Sequence, residues 1–152
     1  MYSRIKAFFQ SVEIEIDDDE LSVIASSAAM LLFEVAWADH EITDVEIEHI
    51  SNALSDLFEL PEDQIDQIVS QARTAHEDSI SVFSFTREIT ECFSQAERFK
   101  LITAMWQLAL SDSEIHKYEE HIIRKIADLI YVSHADFIKA KLHAKQLMGS
   151  TD

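Results

Sequence analysis

The chain has 152 residues, of which 12 are basic and 29 acidic, and its formal net charge at pH 7 is −17. A chain of this length suits one domain, which can bury about 70% of the surface that the unfolded chain exposes. Because so negative a molecule is repelled by nucleic-acid phosphates and by anionic lipid surfaces, nucleic-acid binding is not expected, and cations or basic protein surfaces are the favoured partners.

The compartment predicted for this protein is the cytoplasm. The single cysteine, Cys92, cannot form an internal disulfide and lies in an apolar run, so we interpret it as a small core residue in a reducing compartment. Residues 1–12 carry Arg4 and Lys6 within an amphipathic pattern and lack a continuous apolar stretch followed by a cleavage site, which argues against a signal peptide.

The pattern of apolar residues predicts an all-α fold. One glycine and one proline in the whole chain leave few β-turns, and the apolar residues recur at helical spacing. We expect a single-domain bundle of about seven to eight helices: an N-terminal amphipathic helix in residues 1–16, a helical domain in residues 17–148 and a short tail in residues 149–152.

The first two predicted helices differ in their apolar surface. The first has a single apolar face, made of Tyr2, Ile5, Phe8, Phe9 and Val12. The second, residues 21–38, is about long enough to cross a bilayer but contains Glu34 and follows an acidic run that suits a helix N-terminus, so a buried core helix explains it better. Its predicted buried stripe is Ile24, Ala28, Leu31, Leu32 and Val35.

Two further helices follow after short loops. Thr43 and Glu46 have the spacing of a capping box, which predicts a third helix up to about Phe58 and hence an antiparallel hairpin. Pro61 suits a first helical position, so a fourth helix is expected from there to Ala75.

The second half of the chain repeats this order. Residues 81–93 are predicted as a fifth helix or a turn-rich segment, and the capping box of Ser94 and Glu97 begins a sixth. A seventh helix is expected over residues 117–130, and Ser133 caps an eighth that ends near Leu147. Four large side chains are assigned to the core: Phe33, Trp37, Met105 and Trp106.

One pattern, Ala-x-x-Asp-x-Glu-Ile-x-x-x-Glu-x-x-x-Ile, occurs twice, 73 residues apart. Its members are Ala36, Asp39, Glu41, Ile42, Glu46 and Ile50, and then Ala109, Asp112, Glu114, Ile115, Glu119 and Ile123. The repeat predicts two similar halves packed in one bundle with approximate two-fold symmetry, in which the two acidic loops lie close together.

At these residues the chain resembles the TerB-like family, bacterial helical domains associated with tellurite-resistance clusters. The resemblance covers roughly residues 21–144, and its carriers are residues 38–42, 111–115, 118–124 and 132–138. It implies a cytoplasmic all-α domain that binds divalent cations through its acidic loops and takes part in stress-related assemblies. Members of the family usually have glycine after the loop aspartate, where this chain has His40 and Ser113.

The loop aspartates are the strongest candidates for metal ligands. Asp39 and Asp112 each follow the C-terminal end of a predicted helix, where a carboxylate costs on the order of 0.3–1 kcal/mol against the helix dipole. Either an Asx-turn or a cation shared with Glu41 or Glu114 would offset this cost. The capping box accounts for Glu46, and Glu119 suits the first turn of its helix, so these two acids ligate or orient.

Carboxylate oxygens favour hard cations, and Ca²⁺, Mg²⁺ and Mn²⁺ are therefore the expected ligands. Neither loop is an EF-hand, so water, backbone carbonyls or the other loop would have to complete the coordination. Most of the seven histidines are expected to be solvated, but His40 and His116 lie in or beside the loops and leave Zn²⁺ or Ni²⁺ as a minor alternative. No other cofactor is predicted.

Two functions remain open at this point. The first is a TerB-like module that binds divalent cations and passes their occupancy to a partner. The second is a metal-free interaction domain whose acidic surface or first helix docks a protein and whose loop acids only fix the hairpins. The partner is an unidentified protein, with a homodimer as a further expectation, and no enzyme is predicted because no nucleophile–base pair or phosphate-binding glycine loop accompanies the acids.

Overall fold

The computed structural model describes residues 20–39, 41–77, 85–111 and 117–149, apart from the side chains of Glu20 and Asp39. These ranges hold seven α-helices and no strand, which confirms the all-α prediction. The helices are α1 (Glu20–Ala36), α2 (Asp44–Leu57), α3 (Glu62–Glu77), α4 (Thr86–Cys92), α5 (Gln95–Leu110), α6 (Lys117–Leu129) and α7 (His134–Leu147), and a 3₁₀ turn, Trp37–Asp39, extends α1. The predicted helix in residues 1–16 lies outside the described residues.

Side-chain caps set the starts of three helices where the sequence predicted them. The Thr43 hydroxyl accepts from the Glu46 backbone N–H at 3.2 Å, and the Glu46 carboxylate accepts from the Thr43 N–H at 2.9 Å. Ser94 and Glu97 form the same reciprocal pair at 3.2 and 2.8 Å. The Ser133 hydroxyl caps α7, so each of these helices begins with its exposed N–H groups partly satisfied.

The central helix of the bundle is α1. Every side chain from Ser22 to Phe33 is buried, as expected for a helix that is apolar on all sides. Two buried serines are satisfied within the helix, since Ser26 donates to the Ser22 carbonyl at 2.8 Å and Ser27 to the Val23 carbonyl at 3.2 Å. The prediction of a core helix is therefore confirmed.

Within the described ranges, no helix combines the length and the apolar character needed to cross a bilayer.

The third helix of each predicted half packs in a different direction. In the first half α3 runs parallel to α1, because Gln64 donates to Ser22 at 2.5 Å near their N-terminal ends and His76 contacts Glu34 at 3.0 Å near their C-terminal ends. The opposite direction is found in the second half, where α7 runs antiparallel to α5. The rings of Phe99 and His143 lie 6.1 Å apart, and those of Trp106 and Phe137 lie 5.1 Å apart.

A buried indole explains part of this difference. The N–H of Trp106 donates to the backbone carbonyl of Phe137 at 3.2 Å, which holds the start of α7 against the second half of α5. The position that corresponds to Trp106 in the first half is Phe33, which has no donor. Because a buried N–H must find an acceptor, only the second half requires this contact.

Arg98 joins the C-terminal ends of two helices. Its guanidinium donates to the carbonyls of Thr90 at 2.6 Å, Phe93 at 3.1 Å and Ile130 at 3.2 Å. These carbonyls belong to the ends of α4 and α6, where the helix leaves acceptors without an internal partner. A single side chain on α5 therefore positions both neighbouring helices.

Candidate functional site

The structure describes only part of the predicted metal site. Asp39 ends the 3₁₀ turn, but its side chain lies outside the described part of the chain, as do His40 and residues 112–116. The predicted ligands of the second acidic loop, Asp112 and Glu114, therefore remain untested. Glu41 is described and exposed.

The structure accounts for Glu46 as a helix-capping residue. Its carboxylate oxygen accepts from both the backbone N–H and the hydroxyl of Thr43, at 2.9 and 3.1 Å, and the side chain is 8% exposed. A buried carboxylate is tolerated when hydrogen bonds replace its hydration. Glu46 thus ties the end of the first acidic loop to α2.

Repeated residues of the motif are buried alike in both halves, as far as they are described. The buried pairs are Ala36 and Ala109, Glu46 and Glu119, and Ile50 and Ile123. Glu119 is 4% exposed, close to the value for Glu46. The second glutamate of each motif therefore lies inside the bundle and not on a solvated helix face.

The 3₁₀ turn after α1 packs against the first two turns of α6. Trp37 and Ala38 form one wall of a cleft there. The facing wall consists of Tyr118, His121, Ile122 and Lys125. Since the first acidic loop begins directly after the turn and the second ends directly before α6, both loops leave from this end of the bundle.

The described side chains alone do not assemble a metal centre. Among them, no group of three or more His, Cys, Asp or Glu residues is placed to hold an ion. The six-acid site of Asp39, Glu41, Glu46, Asp112, Glu114 and Glu119 therefore stays a prediction.

One acid that lines the cleft, Glu34, is paired with an imidazole behind it. The Nε2 atom of His76, on α3, lies 3.0 Å from the Oε1 atom of Glu34, and of these two residues Glu34 lines the cleft. His76 is 8% exposed and Glu34 is 22% exposed. The cleft has a volume of about 230 Å³, which is smaller than the roughly 300–1,000 Å³ of most small-molecule sites.

Trp37 was expected in the core, and this prediction is wrong. Its side chain is 41% exposed, because α1 ends at Ala36 and the 3₁₀ turn takes the next residue away from the buried face. The indole keeps an edge-on contact with the His76 ring, with the centroids 6.5 Å apart at 70°. Phe33, Met105 and Trp106 are fully buried, which confirms the other three assignments.

His76 also differs from the general expectation that the histidines are solvated. His121, His134 and His143 are exposed, but His76 is buried. The sequence held a signal for this difference, because His76 falls four residues after Ala72 on the apolar stripe of α3. A second signal was Glu34, an acid within an otherwise apolar helix.

A family model described as "Tellurite resistance protein TerB" matches residues 25–142 of the chain. Searches of curated proteins and of solved structures found no match. The matched range begins inside α1 and ends inside α7, so it contains both acidic loops and the cleft between the 3₁₀ turn and α6.

Proposed function

The chain belongs to the TerB family, and from this membership we propose that it is a cytoplasmic module which binds divalent cations between its two acidic loops and transmits their occupancy to a partner protein. The direct ligands in this proposal are Asp39, Glu41, Asp112 and Glu114. Enzymatic activity is not part of it, since TerB is not a known enzyme family.

The main observation in support of this proposal is the packing of the 3₁₀ turn against α6. Each loop alone offers only two acids besides the buried glutamate, whereas Ca²⁺ takes 6–8 oxygen ligands and Mg²⁺ keeps several waters around one or two carboxylates. Loops that leave from the same end of the bundle can combine four carboxylates with waters and backbone carbonyls. The net charge of −17 also raises the local concentration of cations.

Glu46 has a supporting role in this proposal. Its carboxylate is engaged by Thr43 and buried, so it orients the first loop and leaves the ion to the acids before it. Glu119 occupies the corresponding buried position after the second loop. Tellurite resistance belongs to the family description and is proposed here only as the setting in which such a cation sensor would work.

The alternative is a metal-free acidic interaction domain, and the outer face of α7 favours it. Ile138 and Leu142 are one helical turn apart and are 39% and 55% exposed. Exposed apolar side chains on a helix face suit a protein partner or a second copy of the chain, which would give the predicted homodimer. In this account the loop aspartates form Asx-turns and bind no metal.

Calorimetry and thermal unfolding with CaCl₂, MgCl₂ or MnCl₂ test the first proposal. Binding to the folded state alone should stabilise it by about 2.7 kcal/mol at a hundredfold excess over Kd. The double variant Asp39→Asn/Asp112→Asn keeps the size of the side chains but removes two ligand charges, so it should stay folded and lose the effect.

The matched control is Asp66→Asn/Asp128→Asn, which removes the same charge from exposed positions on α3 and α6, away from the loops. This control variant should be stabilised by the divalent cations as much as the wild-type protein is. If the wild-type protein binds none of the three ions, or if the loop variant binds as tightly as the control, the metal site is wrong and the interaction domain is the better account.

A further inference from the structure

We propose that the cleft between the 3₁₀ turn and α6 binds a basic side chain, arginine or lysine, presented by a partner protein. The site consists of Glu34, the least exposed of these three lining residues, and of Trp37 and Tyr118 on its two walls. It uses none of the loop acids, so it does not depend on the proposed metal site.

The two walls present aromatic rings to whatever enters the cleft. Trp37 comes from the 3₁₀ turn and is 41% exposed, while Tyr118 comes from the first turn of α6 and is 64% exposed. Aromatic faces attract cations, tryptophan most strongly, and arginine is the commonest partner. The contact with the buried His76 ring holds the indole at the cleft, so that less side-chain freedom is lost on binding.

The least exposed charged group that lines the cleft is an acid. His76 engages Oε1 of Glu34 at 3.0 Å, and within the described residues the Glu34 side chain makes no second hydrogen bond. A carboxylate has room for about four hydrogen bonds, and a guanidinium or ammonium group supplies the donors that it lacks. With 22% of its side chain exposed, Glu34 is accessible but shielded enough for its charge to act more strongly than in open solvent.

Two basic side chains also line the cleft, and they make an anion site the main alternative to a cation site. His121 and Lys125 are both exposed, so water and salt screen their charge more than that of Glu34. We infer that the cation of the ligand enters the cleft while its peptide carbonyls stay near the rim. The volume of about 230 Å³ suits a single side chain better than a whole cofactor.

The test uses N-acetyl-arginine amide as the probe and the two indole N–H signals of the ¹⁵N-labelled full chain as reporters. Trp37 lines the cleft, whereas Trp106 is fully buried and bonded to Phe137, so Trp106 is the internal control. At constant ionic strength with a chelator present, the Trp37 signal should shift saturably with a Kd on the order of millimolar, and the Trp106 signal should stay unchanged. N-acetyl-glutamate, the anionic probe, should leave both signals in place.

Three variants test whether negative charge in the cleft strengthens probe binding and positive charge weakens it. Glu34→Gln should weaken probe binding at least about fivefold, Lys125→Gln should strengthen it about twofold, and Asp66→Asn, which removes an exposed acid on α3, should leave it unchanged. Since Glu34 supports His76, folding of its variant is checked by thermal unfolding. Tyr118→Ala, at an exposed position, provides a second weakening variant if Glu34→Gln does not fold.

Binding of the anionic probe, with weaker binding after Lys125→Gln, would overturn the proposal in favour of an anion site. A Trp37 shift that does not saturate, or a folded Glu34→Gln variant with the wild-type affinity, would also overturn it. Because the chelator removes divalent ions, a failure of this site is distinguishable from a failure of the loop metal site.

Discussion

Tyr131 has a backbone conformation that tyrosine rarely adopts. Its φ is +60°, at the position after α6 where helices that end in a left-handed residue usually have glycine. The hydrogen bonds from Val132 N–H to the Ala127 carbonyl at 2.9 Å and from Tyr131 N–H to the Asp128 carbonyl at 3.3 Å form a Schellman motif. The helix end is thus satisfied, but a residue with a Cβ atom bears the steric cost.

Replacing Tyr131 by glycine should therefore raise the free energy of unfolding by about 0.5–1 kcal/mol. The ring is 71% exposed, so little packing is lost. Tyr131→Ala is the matched control, since it removes the ring but keeps the Cβ atom, and it should give no gain. Denaturant titrations measure the unfolding free energy of both variants. Equal values for the glycine and alanine variants would show that backbone strain at residue 131 does not lower the stability.

Leu32 and Met105 lie at corresponding positions of the repeat, and both are fully buried, as predicted from their place on the apolar stripes. Truncation of either to alanine should cost about 2–5 kcal/mol, because the closely packed interior cannot close the cavity. Leu142→Ala, at a side chain that is 55% exposed, is the control and should change stability by less than about 0.5 kcal/mol. If both core variants lose less than about 0.5 kcal/mol of unfolding free energy, the assignment of Leu32 and Met105 to the core is contradicted.

At the scale of helices, local signals predict where an element begins but not how it packs. Thr43, Ser94 and Ser133 act on N–H groups three residues away, so their helices start as the sequence predicts. The packing of α7 on α5 includes the bond from Trp106 to Phe137, which joins residues 31 positions apart and leaves no local signal. Trp37 was misassigned for a similar reason, because periodicity does not indicate that α1 becomes a 3₁₀ turn at that residue.

Arg98 provides a test of how helices are held together. Arg98→Lys keeps the positive charge but cannot donate to three carbonyls with the geometry of a guanidinium, so it should cost about 1–3 kcal/mol. Arg87→Lys is the control, since Arg87 is 70% exposed and pairs only with Glu91 among the described residues, at 3.3 Å. The Arg87→Lys variant should lose less than about 0.5 kcal/mol of unfolding free energy. Equal losses in the two variants, measured by denaturant titration, would contradict the role of Arg98.

For the molecule as a whole, the sequence predicted the class of fold and the buried face of most helices, because periodicity reports burial. It predicted the acids of the loops but not the cleft between the 3₁₀ turn and α6. The cleft is lined by Glu34 of α1 and Tyr118 of α6, and His76 of α3 contacts Glu34. Such contacts among three helices leave no periodic pattern in the chain. Glu34 and His76 were therefore visible only as exceptions to the apolar stripes that surround them.

The net charge of −17 also affects the whole molecule, and it bears on any experiment with cations. Self-repulsion in so acidic a chain destabilises the compact state, and salt screens it. The midpoint of thermal unfolding should therefore rise between about 10 mM and about 300 mM NaCl, over which the Debye length falls from about 30 Å to well under 10 Å. This rise should be gradual and should be the same for the Asp39→Asn/Asp112→Asn variant and its Asp66→Asn/Asp128→Asn control.

A bound divalent cation should act differently from screening. With ionic strength held constant by NaCl, CaCl₂ or MnCl₂ should add a stabilisation that saturates with concentration and is absent from the loop variant. If divalent salts at matched ionic strength add nothing beyond NaCl, the acidic loops contribute only to the general field of the protein. Such a result would place the functional chemistry of this end of the bundle in the cleft and its partner.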